Sequence, residues 1–93
     1  MKTIQVNGRD IRVEHEVASD EKTHHVSIRC KFAHDSGKSI EHVLTIGAED
    51  SPLPVGYDKA ALQKDLDAFK QKHAELFESK IRAAELASAL GEY

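Results

Sequence analysis

Cys30 and His42 are a thiol and an imidazole, the two side chains that zinc sites and thiol enzymes use together. Both fall in the stretch VSIRCKFAHDSGKSIEHVLTI, residues 26–46. Whether they meet depends on how the stretch folds back on itself. Period-two alternation sets Val26, Ile28, Cys30 and Phe32 on one face of a strand and Ile40, His42, Leu44 and Ile46 on one face of the next. A two-residue loop Ser36-Gly37 would pair Phe32 with Glu41 and force a charge into the core. A three-residue loop Asp35-Ser36-Gly37 pairs Phe32 with Ile40 and uses Gly37 for the left-handed position such loops need. The second register predicts Cys30 opposite His42.

A metal ion asks for more than this pair. Zinc takes three or four ligands at about 2.0–2.3 Å, and the remaining histidines are poorly spaced for it. His15 is expected beside Val26 and Ile46, four residues along the strands from Cys30 and His42 and so roughly 13 Å away. His73, on the helical segment described below, can approach one of the two but not both. Cys30, His42 and His73 are therefore the candidate metal ligands, set against packed histidines that hydrogen-bond locally. The packed reading is the one adopted, and no cofactor is expected. Buried neutral histidines would have pKa values below about 6.5 and make the fold acid-sensitive.

Catalytic signatures are weaker still. The chain has no G-x-S-x-G, H-E-x-x-H, P-loop or dinucleotide-binding glycine pattern. A nucleophilic Cys30 beside His42 would lie beneath a covering helix, closed to substrate. An enzyme is not expected.

The elements that position these residues are readable from their periods. Alternation runs to about residue 48 and a helical period begins at about 58. Asn7-Gly8 is the preferred type I′ hairpin pair, since both residues tolerate positive φ, and it sets Ile4 opposite Ile11. The second strand then turns Ile11, Val13, His15 and Val17 inward, and the third, after a polar turn near Ser19-Asp20-Glu21-Lys22, turns His24 inward with the even residues up to Phe32. Four strands apolar on one face predict an antiparallel meander in the order 1-2-3-4, covered on one side. Pro52 and Pro54 stop a fifth strand and give the chain an extended crossing. Asp58 is placed as N-cap, Tyr57 and Leu62 as a hydrophobic staple, and Gly91 at the C′ position of a helix over about 58–90. The expected fold is α+β: one domain over 1–93, with a sheet over about 2–48, a linker over about 49–57 and one long C-terminal helix across the sheet's inner face.

On that helix Leu62, Leu66, Phe69, His73, Leu76 and Phe77 share a stripe that should meet the sheet, with Lys80 landing at its centre. Ala83, Leu86, Ala87 and Leu90 form a second stripe, rotated by roughly 70°. At 1.5 Å per residue the helix would run about 48 Å, against about 30 Å for a nine-residue strand. Its end should either overhang, offering Leu86 and Leu90 to a partner, or curl over the sheet's edge.

Composition narrows the function by exclusion. The 93 residues carry 13 basic and 16 acidic groups, spread evenly: 7 and 9 up to residue 57, 6 and 7 beyond it. Neither half has the clustered Lys and Arg that nucleic-acid affinity requires, so nucleic acid is not an expected partner. The one cysteine forbids an intrachain disulfide and a tetrathiolate site. The first residues lack an apolar leader and no run approaches the roughly 20 apolar residues that span a bilayer, so a cytoplasmic protein without membrane contact is expected. On the outer sheet face Arg12, Arg29 and Lys31 lie near one another among Glu14, Glu16 and Glu41, a candidate contact for an acidic partner that competes with a simply solvated face.

The leading expectation is a non-catalytic protein-protein interaction module, self-associating or binding another protein through Ala83, Leu86, Ala87 and Leu90. The free edge of the fourth strand and the outer sheet face are the other available surfaces. One alternative is a small phage- or mobile-element-type inhibitor that blocks a host complex. Another is a metal-binding or thiol protein built on Cys30 and His42.

Overall fold

The structure is a computed structural model that describes residues 2–18, 25–47 and 50–91. Four strands, β1 (Lys2–Val6), β2 (Arg9–Ala18), β3 (Val26–Ala33) and β4 (Ser39–Ile46), precede one helix, α1 (Lys59–Gly91). The strands form an antiparallel sheet in the order β1-β2-β3-β4, with α1 packed on one face. This is the α+β meander that the alternating and helical periods predict.

Local chemistry explains both described hairpins. Asn7 and Gly8 sit at φ 50° and 79°, the paired positive values of a type I′ turn, and Ile4 stands opposite Ile11. At the other hairpin Gly37 takes φ 87° while the His34 N–H donates to the Lys38 carbonyl at 3.0 Å. Phe32 pairs with Ile40 and Cys30 with His42, as the three-residue loop requires.

The register between β2 and β3 differs from expectation. His15 faces Cys30, not Val26. Two pairings that differ by four residues present the same faces to the core, so hydrophobic alternation does not distinguish them; the length of the connection does. The expected inward position of His24 lies outside the described residues.

A second correction concerns how far the dry layer extends. Ile11 and Val13 are buried, but His15 is exposed and Val17 is 56% exposed. Among the described residues β1 pairs with β2 only as far as Lys2 opposite Val13, and the inward residues of β2 beyond Val13 reach water.

The N-cap is as expected. The Asp58 carboxylate accepts from the Ala61 N–H at 2.9 Å, and the Tyr57 hydroxyl donates to Asp65 at 2.6 Å. Gly91 is helical rather than a left-handed C′ residue.

The covering stripe is Leu66, Lys70, Ala74, Phe77, Glu78 and Ile81, turned from the expected one so that Leu76 is 54% exposed and Lys80 faces solvent. Two charged residues sit where apolar ones were expected, because each finds a polar partner under the helix. Glu78, with 1% exposure, accepts from Asn7 Nδ2 at 3.1 Å and lies 3.6 Å from both Arg9 and Arg82. Arg9 also pairs with Glu85, so one guanidinium ties two turns of α1 to the β1–β2 hairpin. Three donors around one carboxylate offset the cost of desolvating it.

The core itself lies between α1 and the upper sheet: Ile4, Val6, Ile11, Val13, Ile28, Cys30 and Phe32 meet Leu66, Ala74, Phe77 and Ile81. Beyond Ile81, every residue from Arg82 to Gly91 is exposed. The helix overhangs the sheet instead of curling over its edge, and the molecule reaches 56 Å in its longest dimension.

Candidate functional site

Four polar side chains gather in and around the centre of the sheet. β2 and β4 bring His15 and His42 to either side of Cys30, and α1 lowers Lys70 and His73 onto them. Lys70, only 4% exposed, donates from Nζ to His15 Nδ1 at 2.8 Å. That bond needs a neutral imidazole with its proton on Nε2. Burial and then the Lys70 charge hold the His15 pKa below 6.5.

His73 packs ring against ring on His42, centroids 4.1 Å apart, and on Phe69 at 4.3 Å, with Phe32 beneath at 6.2 Å. Its Nδ1 is buried and lacks a hydrogen-bond partner among the described residues. Burial first, then the charges of His42 and Lys72, lower the His73 pKa from 6.5. Two stacked imidazoles 33° from parallel turn their faces to each other, which does not aim ring nitrogens at one point between them. Among the described residues, no group of three His, Cys, Asp or Glu side chains could hold a metal ion. Of the three candidate ligands, then, the fold pairs Cys30 with His42 across the strands and stacks His73 on His42.

Cys30 is fully buried and burial pushes its thiol pKa up, with Lys70 pulling weakly the other way. A thiol of this kind behaves as a small apolar side chain.

Acid should therefore loosen the protein. His15 and His73 bind protons less readily folded than unfolded, so their contribution to stability is present above about pH 6.5 and is lost as pH falls below it. The denaturant midpoint is expected to be lower at pH 5 than at pH 7.5. A His73→Phe variant, which removes the orphaned Nδ1, is expected to match or exceed the wild-type midpoint at pH 7.5 and to lose less of it at pH 5. Equal midpoints for the wild type at both pH values would contradict the enclosure of His73 and the Lys70 contact to His15.

The outer face is a lattice of alternating charge. Arg12 pairs with Asp35, Arg29 lies 4.0 Å from Glu16, and Lys31 stands between Glu14 and Glu41 in the strand register. Each of the three candidate cations has an acid beside it, which weakens the field an acidic partner would meet.

The helix end is different in kind. Leu86 is 66% and Leu90 72% exposed, and Ala83 and Ala87 share their face. At 100° per residue this stripe stands roughly 160° from the stripe that meets the sheet, not 70°. The difference follows from the turn of α1 that buries Lys70, Ala74 and Ile81 in place of Leu76. Leu86 and Leu90 thus point away from the protein's own core, and no rotation of the helix could bury both stripes.

Lys70 and Glu78 escaped the reading of the sequence, which assigns charge to solvent by default. Their signal was spacing: Leu66, Lys70, Ala74 and Glu78 recur at intervals of four, with Phe77 and Ile81 on the same face.

Sheet, helix and overhang define an open-faced α+β protein with a closed centre and an uncovered helix end. Compared with protein-family models, curated proteins and solved structures, the chain matches none of them. No helix among the described residues is long and apolar enough to cross a membrane.

Proposed function

We propose that the protein is a non-catalytic interaction module that presents the overhanging end of α1 to the apolar groove of another protein. The observation that carries this reading is the exposure of Leu86 and Leu90, 66% and 72%, on a helix face turned away from the core. Ala83, Leu86, Ala87 and Leu90 stand at i, i+3, i+4 and i+7, the spacing by which an amphipathic helix anchors in a groove, and the two alanines allow close approach. The closed state of Cys30, with its raised thiol pKa, supports a binding role over thiol chemistry.

Size favours a groove over a second helix end. Residues 82–91 are about 15 Å of helix, and two such ends laid side by side would meet over a footprint roughly 15 by 8 Å. That is far short of the ~800 Å² per partner of a standard interface. A groove that wraps the helix recovers more of its surface.

The experiment compares wild type with the double variant Leu86→Glu, Leu90→Glu as bait in native lysate. Both chains should melt at the same temperature, since neither leucine touches the core. Wild type should retain a protein that the variant retains at least tenfold less. Equal retention by both would remove the helix end from the function.

A further inference from the structure

We propose that β4 is a homodimerisation strand, pairing antiparallel with β4 of a second copy to make one continuous eight-stranded sheet. β4 ends the sheet, and the described residues make no backbone hydrogen bond along its outer side. Since His34 and Lys38 form a hydrogen-bonded pair, alternation assigns the even residues of β4 to β3 and leaves the N–H and C=O groups of Ser39, Glu41, Val43 and Thr45 pointing outward.

Edge strands normally carry a defence: lysine, proline, a bulge or a short length. β4 has eight residues, SIEHVLTI, with no lysine, no proline and an unbroken register along β3. Its one charge is Glu41. On the outer face Val43 is 55% exposed, and on the inner face Ile40, His42, Leu44 and Ile46 are all only half-buried. The same flank continues onto α1, where an opening of about 190 Å³ is lined by Ile40, His42, His73, Leu76 and Lys80. The inner layer is thus sealed at β1, where Ile4 and Val6 are 8% exposed, and left open at β4.

A second copy fits this edge by its own symmetry. A two-fold axis through Val43 sets Val43 against Val43 and Glu41 against Thr45, so the exposed valines cover each other and no like charges meet. On the inner face the same register puts Ile40 beside Ile46 and His42 beside Leu44. Eight residues at about 3.4 Å give an edge of roughly 27 Å. With the depth of a sheet and its helix, roughly 15 Å, the face-on contact is on the order of 400 Å². That is about three times the footprint of two paired helix ends and about half of the ~800 Å² standard, which sets the expected dimer in the weak, concentration-dependent class. This surface is independent of the helix end, and because α1 runs counter to β4 the two overhangs would project from opposite ends of the dimer.

Light scattering across a concentration series tests the idea. Wild type should reach twice the 10.3 kDa chain mass. Thr45→Pro removes an outward N–H without touching the ladder to β3, and Val43→Lys adds the missing edge charge; both should stay folded by circular dichroism and weaken dimerisation at least tenfold. Leu86→Glu with Leu90→Glu should leave the dimer intact. Wild type at 10.3 kDa up to millimolar concentration would overturn the proposal, as would a dimer that survives Val43→Lys or one that only the helix-end variant dissolves.

Discussion

Phe32→Ala should lower the unfolding free energy by about 3–5 kcal/mol, the usual loss when a fully buried phenylalanine is cut to a methyl group. The ring is completely buried at the centre of β3, opposite Val13 and Ile40, with the imidazoles of His42 and His73 about 6 Å from it. A domain this size has ~5–15 kcal/mol in total, so the melting temperature should drop by roughly 15–30 °C. The histidines make the loss worse: a cavity beneath them admits water to His73 and removes the apolar contact that keeps it neutral. Leu86→Ala, on the overhang, is the matched control and should shift the melting temperature by no more than a degree or two. Chemical denaturation of the two variants measures the contrast, and a Phe32→Ala loss below about 1 kcal/mol would mean the ring is not in a packed core.

Lys70→Met should stabilise the protein, by about 1–3 kcal/mol, because it replaces an ammonium held under the helix with an apolar chain of similar length. Lys70 is 4% exposed and, among the described residues, its polar partner is the neutral Nδ1 of His15, a weaker compensation than the carboxylate–guanidinium arrangement around Glu78. Lys70→Ala separates charge from packing: it removes the same charge but also the stem that covers the sheet, and should be destabilising. The paired readout is the His15 titration followed by NMR. Removing the Lys70 charge should raise the His15 pKa toward 6.5, with the part caused by burial remaining. A Lys70→Met protein less stable than wild type by more than 1 kcal/mol would show that the lysine is a net structural asset.

Both effects bear on what the molecule does. A lysine held under the helix, a histidine Nδ1 without a hydrogen-bond partner among the described residues and an undefended edge strand all lie on or beside the open parts of the inner layer. The best-packed residues, Ile11, Val13, Ile28 and Phe32, lie where the helix and neighbouring strands close over them completely.

Much of this fold was legible in residue order. Alternation assigned faces to all four strands, Asn7-Gly8 and Gly37 set their turns, and the parity of the last hairpin brought Cys30 to His42, because turn chemistry and a period of two are local properties. That α1 outruns the sheet was likewise readable as a matter of length, 33 helical residues against strands of five to ten, but whether its end overhangs or curls over the edge was not. What tertiary structure alone decided was alignment: the four-residue shift that put His15 opposite Cys30, and the turn of α1 that buried Lys70 and Glu78 and exposed Leu76. The predicted stripe is the more apolar of the two, so apolar periodicity by itself favours the other rotation. The choice rests on partners remote in sequence, Asn7 and Arg9 for Glu78 and His15 for Lys70, whose proximity exists only once the chain has folded.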